Sequence, residues 1–181
     1  MKFNTKTVHK GQKPEKLHGS VSLPIYQTST FKQNEIGEYI YDYSRAGNPT
    51  RSSLEENVCS LENGKDAVAF SSGLSAITSI IQLFSSGDHM IFTDNVYGGT
   101  FRLLDTIMKK YNIEQSWVDT SSLDQVVSAI KDNTKLIFIE SPTNPMMTLS
   151  DIKAICDVAH RKDILVVVDN TFMSPYFQRP I

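Results

Sequence analysis

The sequence predicts an α/β fold in which a mainly parallel sheet is flanked by helices. Short apolar runs without polar alternation, such as 135–139 and 164–168, recur between segments that have helical periodicity. Such strands are buried on both faces, and their alternation with helices is typical of a parallel sheet. Residues 1–47 differ, since they are rich in turn-forming residues and have little sustained periodicity. We therefore expect an extended N-terminal arm over 1–47 and an α/β domain over 48–181.

The individual elements follow from the spacing of the apolar residues. Helices are expected where these residues recur every three or four positions, at 50–62, 74–84, 100–110, 122–131 and 151–162. Asn63-Gly64 would end the first helix, and Ser122 is a plausible N-cap of the fourth. Strands are expected in the apolar runs between the helices, at 67–70, 89–93, 115–118, 135–139 and 164–168.

Composition and charge argue against several functional classes. The net charge is −2 and the pI is about 6.1, so a basic surface for nucleic acid or an anionic membrane is not expected. No apolar stretch reaches the length of a membrane span, and the N-terminal residues lack a signal-peptide pattern. Cys59 and Cys156 lack metal-ligand spacing, and we expect buried thiols in a cytoplasmic protein without a metal site.

Polar residues follow the predicted strands at their carboxyl ends. They occupy 71–73, 94–99, 119–120, 140–144 and 169–171. Ligands of open α/β sheets bind at this edge, so these stretches form a candidate binding site. The alternative is that polar residues only terminate the strands.

Two of these stretches suit a planar, phosphorylated ligand. Ser72 and Gly73 lie between a strand and a helix, and the first N–H groups of a helix bind phosphate well, although many ordinary turns share this pattern. Tyr97, followed by Gly98 and Gly99, could stack on a ring, or it could be a partly buried loop tyrosine.

Asp169 ends an apolar run, where a carboxylate needs a cation or a hydrogen-bond donor. The chain has no G-x-x-x-x-G-K-[ST] loop and no G-x-G-x-x-G, which disfavours nucleoside triphosphate and dinucleotide sites. A protonated ring nitrogen of a cofactor would suit Asp169, and a simple turn cap is the alternative. Tyr43 and Arg45 in the arm could likewise bind a phosphate or form a surface salt bridge.

Five motifs, taken together and in this order, resemble the Cys/Met-metabolism (trans-sulfuration) family of pyridoxal-phosphate enzymes. They are "YSRAGNPT", "SSGLSA", "VYGGT", "ESPTNP" and "VVVDNTFMSPYFQRP". The resemblance implies a large domain of the aspartate-aminotransferase type (fold type I), with pyridoxal 5'-phosphate as cofactor. It also implies two catalytic residues. Tyr97 would stack on the pyridine ring and exchange protons with the substrate, and Asp169 would pair with the ring nitrogen.

The same resemblance implies a cofactor-binding set. The backbone around Gly73 and Leu74 would bind the phosphate, and Asn144 would lie near the phenolic oxygen. Tyr43 and Arg45 would reach the cofactor phosphate of a neighbouring subunit, in a homodimer or homotetramer with shared active sites. The full set is Tyr43, Arg45, Ser72, Gly73, Leu74, Tyr97, Asn144, Asp169 and Thr171.

One departure from the family pattern concerns the lysine that bonds to the cofactor. In the family it lies beyond the aspartate strand, whereas no lysine follows Lys162 here. We therefore expect the chain to be the N-terminal half of an enzyme, with an incomplete large domain and without the C-terminal domain. The whole enzyme is expected to cleave or exchange the C–S bond of small sulfur amino acids in the cytoplasm. A γ-lyase is favoured over a γ-synthase or sulfhydrylase, and a non-catalytic remnant that binds cofactor or forms oligomers is the alternative of another class.

Overall fold

The computed structural model describes residues 1–181, which form two compact units. The first comprises Met1–Ala69 with Ile181, and the second comprises Phe70–Pro180. The helix that follows the predicted arm therefore belongs to the same unit as the arm. The domain boundary at 47–48 stays a prediction.

The first unit has two helices, α1 (Phe3–His9) and α2 (Pro49–Glu62). The helix predicted at 50–62 is confirmed. It begins after Asn48, whose side chain accepts the N–H of Thr50, and it ends at Asn63 in the left-handed conformation. Between the helices the chain is irregular apart from two isolated bridges, Thr30–Tyr43 and Glu35–Glu38.

The strand predicted at 67–70 is wrong. The N–H of Ala67 donates to Asp66 Oδ1 at 2.8 Å, and that of Ala69 donates to Glu55 Oε1 at 2.9 Å. These backbone donors are thus bonded to side chains instead of to a neighbouring strand. An apolar run becomes a strand only where another strand pairs with it, and a single sequence does not reveal its partner.

The second unit is built on four parallel strands, which confirms the predicted fold class. They are β1 (His89–Thr93), β2 (Glu114–Val118), β3 (Thr134–Glu140) and β4 (Leu165–Asp169), in the order β2-β1-β3-β4. In the β3–β4 register Glu140 lies opposite Asp169. The acidic ends of these two strands therefore meet at one edge of the sheet.

Helices cover both faces of this sheet. They are α3 (Gly73–Ile81), α4 (Gly98–Arg102), α5 (Leu123–Ala129) and α6 (Ile152–His160). The short α7 (Ser174–Phe177) follows β4. One core cluster includes Met90, Phe92, Leu136 and Phe138, and the other includes Ile91, Ile137 and Ile139. Alternate strand residues thus enter opposite cores, which explains why these strands lack polar alternation.

The helix predicted at 100–110 is wound differently. After α4 the chain forms a π-helical turn at Leu103–Ile107 and a 3-10 turn at Met108–Tyr111. This winding keeps Leu104 fully buried while Ile107 is 47% exposed. The irregular turns depend on packing against the sheet, so apolar spacing alone could not predict them.

Leu54 and Val58, which recur at helical spacing along α2, are 55% and 41% exposed. Two smaller expectations need correction. Ser122 precedes α5, but its side chain forms no capping bond. Cys59 and Cys156 are free and only partly buried.

None of the helices combines the length and the apolar character that crossing a membrane requires.

Candidate functional site

A cavity of about 360 Å³ lies at the carboxyl ends of β3 and β4. It is lined by Ser72, Gly73, Leu74, Ile77, Tyr97, Glu140, Pro142, Asn144, Asp169, Thr171 and Phe172. Seven of the nine residues in the predicted cofactor-binding set are among them. The structure therefore brings together residues that lie up to about a hundred positions apart, as expected where parallel strands end at one edge.

A larger cavity of about 850 Å³ lies between α3 and residues 103–113. Its lining is made of apolar side chains, hydroxyls and one amide, and Tyr111 is its only ionisable residue. Catalytic sites need groups that bind charge or move protons, so the smaller cavity is the candidate site.

Tyr43 and Arg45 do not line the candidate cavity at the ends of β3 and β4. They belong to the first unit, where the guanidinium carbon of Arg45 lies 4.3 Å from the centroid of the Tyr43 ring. This cation–π contact holds the two side chains against each other. Their predicted contact with a neighbouring subunit stays a prediction.

The N-terminus of α3 forms one end of the cavity. Ser72 is the N-cap, and its Oγ accepts the N–H of Ser75 at 3.1 Å. The N–H groups of Gly73 and Leu74 belong to the first turn, where a helix has no internal acceptors. A Cβ on Gly73 would meet no atom within 4 Å, so this backbone borders open space. The end of this nine-residue helix is therefore suited to an anion.

Tyr97 contributes a half-exposed ring to the cavity. Its N–H donates to Glu140 Oε2 at 2.6 Å, which holds the backbone at the start of α4. A Cβ on Gly99 would lie 2.3 Å from Cε1 of Tyr97, far inside contact distance. Gly99 therefore lets the tyrosine ring lie against the first turn of α4.

Asp169 ends β4 and is half-buried. Its Oδ1 accepts both the N–H of Thr171, at 3.1 Å, and the Thr171 hydroxyl. Asp169 thus caps a turn, which was the simpler of the two interpretations. Both bonds go to the same oxygen and no cation is paired with Asp169, so Oδ2 remains available to a positively charged donor.

Glu140 is the main site residue that the sequence did not single out. Only 5% of it is exposed, and its carboxylate accepts the N–H groups of Tyr97 and of Asn144. Burial raises the pKa of Glu140, these two N–H bonds oppose the rise, and the charge of Asp169 adds to it. The available signal was that Glu140, like Asp169, is an acid that directly follows an apolar strand.

Hydrogen bonds also hold the segment after β4 against the end of β3. Gln178 Nε2 donates to the carbonyl of Ser141 at 2.7 Å and to Asn170 Oδ1 at 2.8 Å. Asn170 Nδ2 donates back to the carbonyl of Gln178 at 2.8 Å. This network fixes the turn that contains Asp169 and Thr171.

Comparison with known proteins identifies relatives along the whole chain. The chain is 48% identical over 182 residues to the cystathionine γ-lyase of Bacillus subtilis, and this match covers 100% of the chain and 48% of that protein. It is 51% identical over 180 residues to a cystathionine β-lyase of Lactococcus lactis, covering 99% of this chain and 47% of that protein. The chain thus spans about half the length of the curated relatives it matches.

Solved structures agree with this similarity. The cystathionine γ-lyase of Lactobacillus plantarum, crystallised with L-serine, superposes with a TM-score of 0.96 at 47% identity, over 99% of this chain and 47% of that one. The metB protein of Corynebacterium glutamicum superposes with a TM-score of 0.97 at 43% identity, over 99% of this chain and 48% of that one. Residues 4–181 match the profile of the Cys/Met metabolism PLP-dependent enzymes. The chain therefore belongs to the Cys/Met metabolism family of pyridoxal-phosphate-dependent enzymes.

Proposed function

We propose that the intact protein uses pyridoxal 5'-phosphate to cleave or exchange the C–S bond of a small sulfur amino acid, with γ-cleavage of cystathionine as the favoured reaction. The observation that carries this proposal is the composition of one cavity. It combines the N-terminus of α3, the ring of Tyr97 and a carboxylate oxygen of Asp169 without an internal partner. These groups complement a planar ligand that has a phosphate and a ring cation.

The residues of the cavity fit this cofactor. The N–H groups of Gly73 and Leu74, next to the N-cap Ser72, would bind the phosphate. Asn144 would hydrogen-bond the phenolic oxygen, and the hydroxyl of Thr171 would remain bonded to Asp169 and support its orientation. The open space beside Gly73 supports this assignment, because any side chain there would extend into the space that a phosphate needs.

Asp169 and Tyr97 would carry the chemical roles. Bound pyridoxal phosphate would supply an electron-withdrawing ring that stabilises negative charge at the substrate Cα. Asp169 would keep the ring nitrogen protonated through a charge-assisted hydrogen bond. Tyr97 would pack on the ring face and would move a proton to or from the substrate through its phenolic oxygen.

We further propose that the protein is a cytoplasmic oligomer with shared active sites. Arg45 and Tyr43 would bind the phosphate of the cofactor held by a neighbouring subunit. The exposed arm position of Arg45 and its contact with the face of Tyr43 support this role, because the pair presents a guanidinium and a phenol together.

Product analysis tests the reaction type. The intact protein would be incubated with pyridoxal phosphate and L-cystathionine, and the products separated. Cleavage at Cγ yields cysteine, 2-oxobutanoate and ammonia, whereas cleavage at Cβ yields homocysteine, pyruvate and ammonia. Formation of 2-oxobutanoate would support the favoured reaction, and pyruvate would replace it with β-cleavage.

A γ-synthase is the second candidate, because a probable cystathionine γ-synthase of Herpetosiphon aurantiacus is 46% identical over 180 residues. It would form cystathionine from cysteine and an O-acylated homoserine. Cofactor binding without turnover in any of these assays would overturn the enzymatic proposal and favour a non-catalytic, cofactor-binding protein.

A further inference from the structure

We propose that Glu140 is a positioning residue that holds the Tyr97 and Asn144 loops at the cofactor cavity. This inference rests on the proposed function, since it concerns the same cavity. Glu140 would not react with the substrate. It would act through the two backbone segments that its carboxylate holds.

The carboxylate of Glu140 uses each oxygen for a different loop. Oε2 accepts the N–H of Tyr97 at 2.6 Å, and Oε1 accepts the N–H of Asn144 at 2.9 Å. Tyr97 precedes α4, whereas Asn144 follows β3. One side chain therefore sets the spacing between two loops that both line the cavity.

Glu140 is itself held firmly. It is the last residue of β3, and its own N–H donates to Thr93 Oγ1 at 3.1 Å. Thr93 ends β1, and its hydroxyl lies 3.0 Å from that of Thr120. The carboxylate thus projects from a hydrogen-bonded sheet edge, which gives both loops a rigid anchor.

The chemistry of the position requires an acid. Burying a carboxylate without a cationic partner is unfavourable, so a residue needed only for packing would be better neutral. Only a carboxylate offers two equivalent acceptors to two N–H donors. A glutamine would keep one acceptor, but its amide NH₂ group would face the other backbone N–H, and two donors cannot form a hydrogen bond. A buried acid at this position is therefore explained by the two loops that it positions.

The test compares Glu140→Gln with the matched variant Glu114→Gln in the intact protein. Glu114 is an exposed glutamate at the start of β2, paired with Lys131 at 3.2 Å and remote from the cavity lining. We expect Glu140→Gln to weaken pyridoxal phosphate binding by about tenfold or more, equivalent to about 1.4 kcal/mol, because one charged hydrogen bond is lost. It should also reduce the visible circular dichroism of the bound cofactor. Glu114→Gln should change neither quantity.

A double-mutant cycle with Tyr97→Ala separates positioning from general stability. If Glu140 acts through Tyr97, the Glu140→Gln effect on cofactor circular dichroism should shrink in the Tyr97→Ala background. Equal effects in both backgrounds would overturn the inference, as would Glu140→Gln with unchanged cofactor affinity and dichroism.

Should Glu140→Gln fail to fold, Glu140→Asp serves instead, since its shorter side chain keeps the charge but cannot reach both loops. An intermediate loss of affinity supports positioning, and wild-type affinity contradicts it. These binding readouts do not depend on turnover. A protein that binds pyridoxal phosphate but cleaves no sulfur amino acid would therefore refute the proposed function alone.

Discussion

Replacing Asp169 by alanine should lower kcat/KM about a thousandfold in the intact protein. Asp169 is half-buried, so an effective dielectric constant of about 20 applies, and a cation about 4 Å away would interact with it by about 4 kcal/mol. Each factor of ten in rate corresponds to about 1.4 kcal/mol, which gives about three powers of ten. Asp169→Glu should lose less, because it keeps the charge but displaces it by one methylene.

The control for this prediction is Thr171→Val. Asp169 also caps a turn through Thr171, and alanine would remove that contact together with the charge. Valine at position 171 removes the hydroxyl contact but leaves the carboxylate and the backbone N–H. We expect a loss of about tenfold to a hundredfold, smaller than that of Asp169→Ala, since one hydrogen bond to a charged group contributes about 1.5–3 kcal/mol.

The assay measures initial rates of 2-oxo acid formation from cystathionine at saturating pyridoxal phosphate. Near-normal turnover by Asp169→Ala would refute the role of Asp169 at the ring nitrogen. A thousandfold loss in Thr171→Val would show that the turn, and not the charge, accounts for the effect.

Three further predictions concern the oligomer, the pH dependence and the core. Equimolar mixing of inactive Arg45→Ala and Asp169→Ala chains should restore about a quarter of the wild-type activity, because about half of the random dimers are mixed and each mixed dimer has one native site out of two. Absence of rescue in confirmed mixed dimers would contradict shared sites. Burial lowers the pKa of His89, so below the ordinary histidine pKa of about 6.5 the folded state binds fewer protons than the unfolded state. The free energy of unfolding should therefore fall as the pH drops through that range, by at most about 1.4 kcal/mol per pH unit. Urea unfolding between pH 7.5 and 5.5 measures this slope, and an equal slope in His89→Gln would contradict the assignment. Leu136→Ala should lower the free energy of unfolding by about 2–5 kcal/mol, whereas Leu83→Ala, at a position 75% exposed, should change it by about 0.5 kcal/mol or less; similar values for both in urea titrations would contradict the assigned core.

The arrangement of the cavity could be predicted to a considerable extent from the sequence. Tyr97, Asn144 and Asp169 each follow an apolar strand, Gly73 begins α3, and all four line one cavity. The reason is geometric, because parallel strands place all their carboxyl ends at one edge. The turn cap and the cation ligand were alternative interpretations of Asp169, but they are compatible. One carboxylate oxygen caps the turn, and the other can serve a cation.

Other features depend on contacts that no local pattern encodes. The strand expected at 67–70 needed a pairing partner, and its N–H groups bond to Asp66 and Glu55 instead. The exposed Leu54 and Val58 on α2 show the same limit, since helical spacing identifies an apolar face but not what covers it.

By itself, the sequence determined the α/β class, the parallel sheet and the edge at which a ligand would bind, because apolar periodicity and strand termination are properties of short segments. The tertiary structure alone decided which acid does what at that edge. Glu140 and Asp169 both end apolar strands, yet the first accepts N–H groups from two loops while the second keeps an oxygen available. The Glu140–Tyr97 bond joins residues 43 positions apart, and only the folded chain brings such groups within hydrogen-bonding distance.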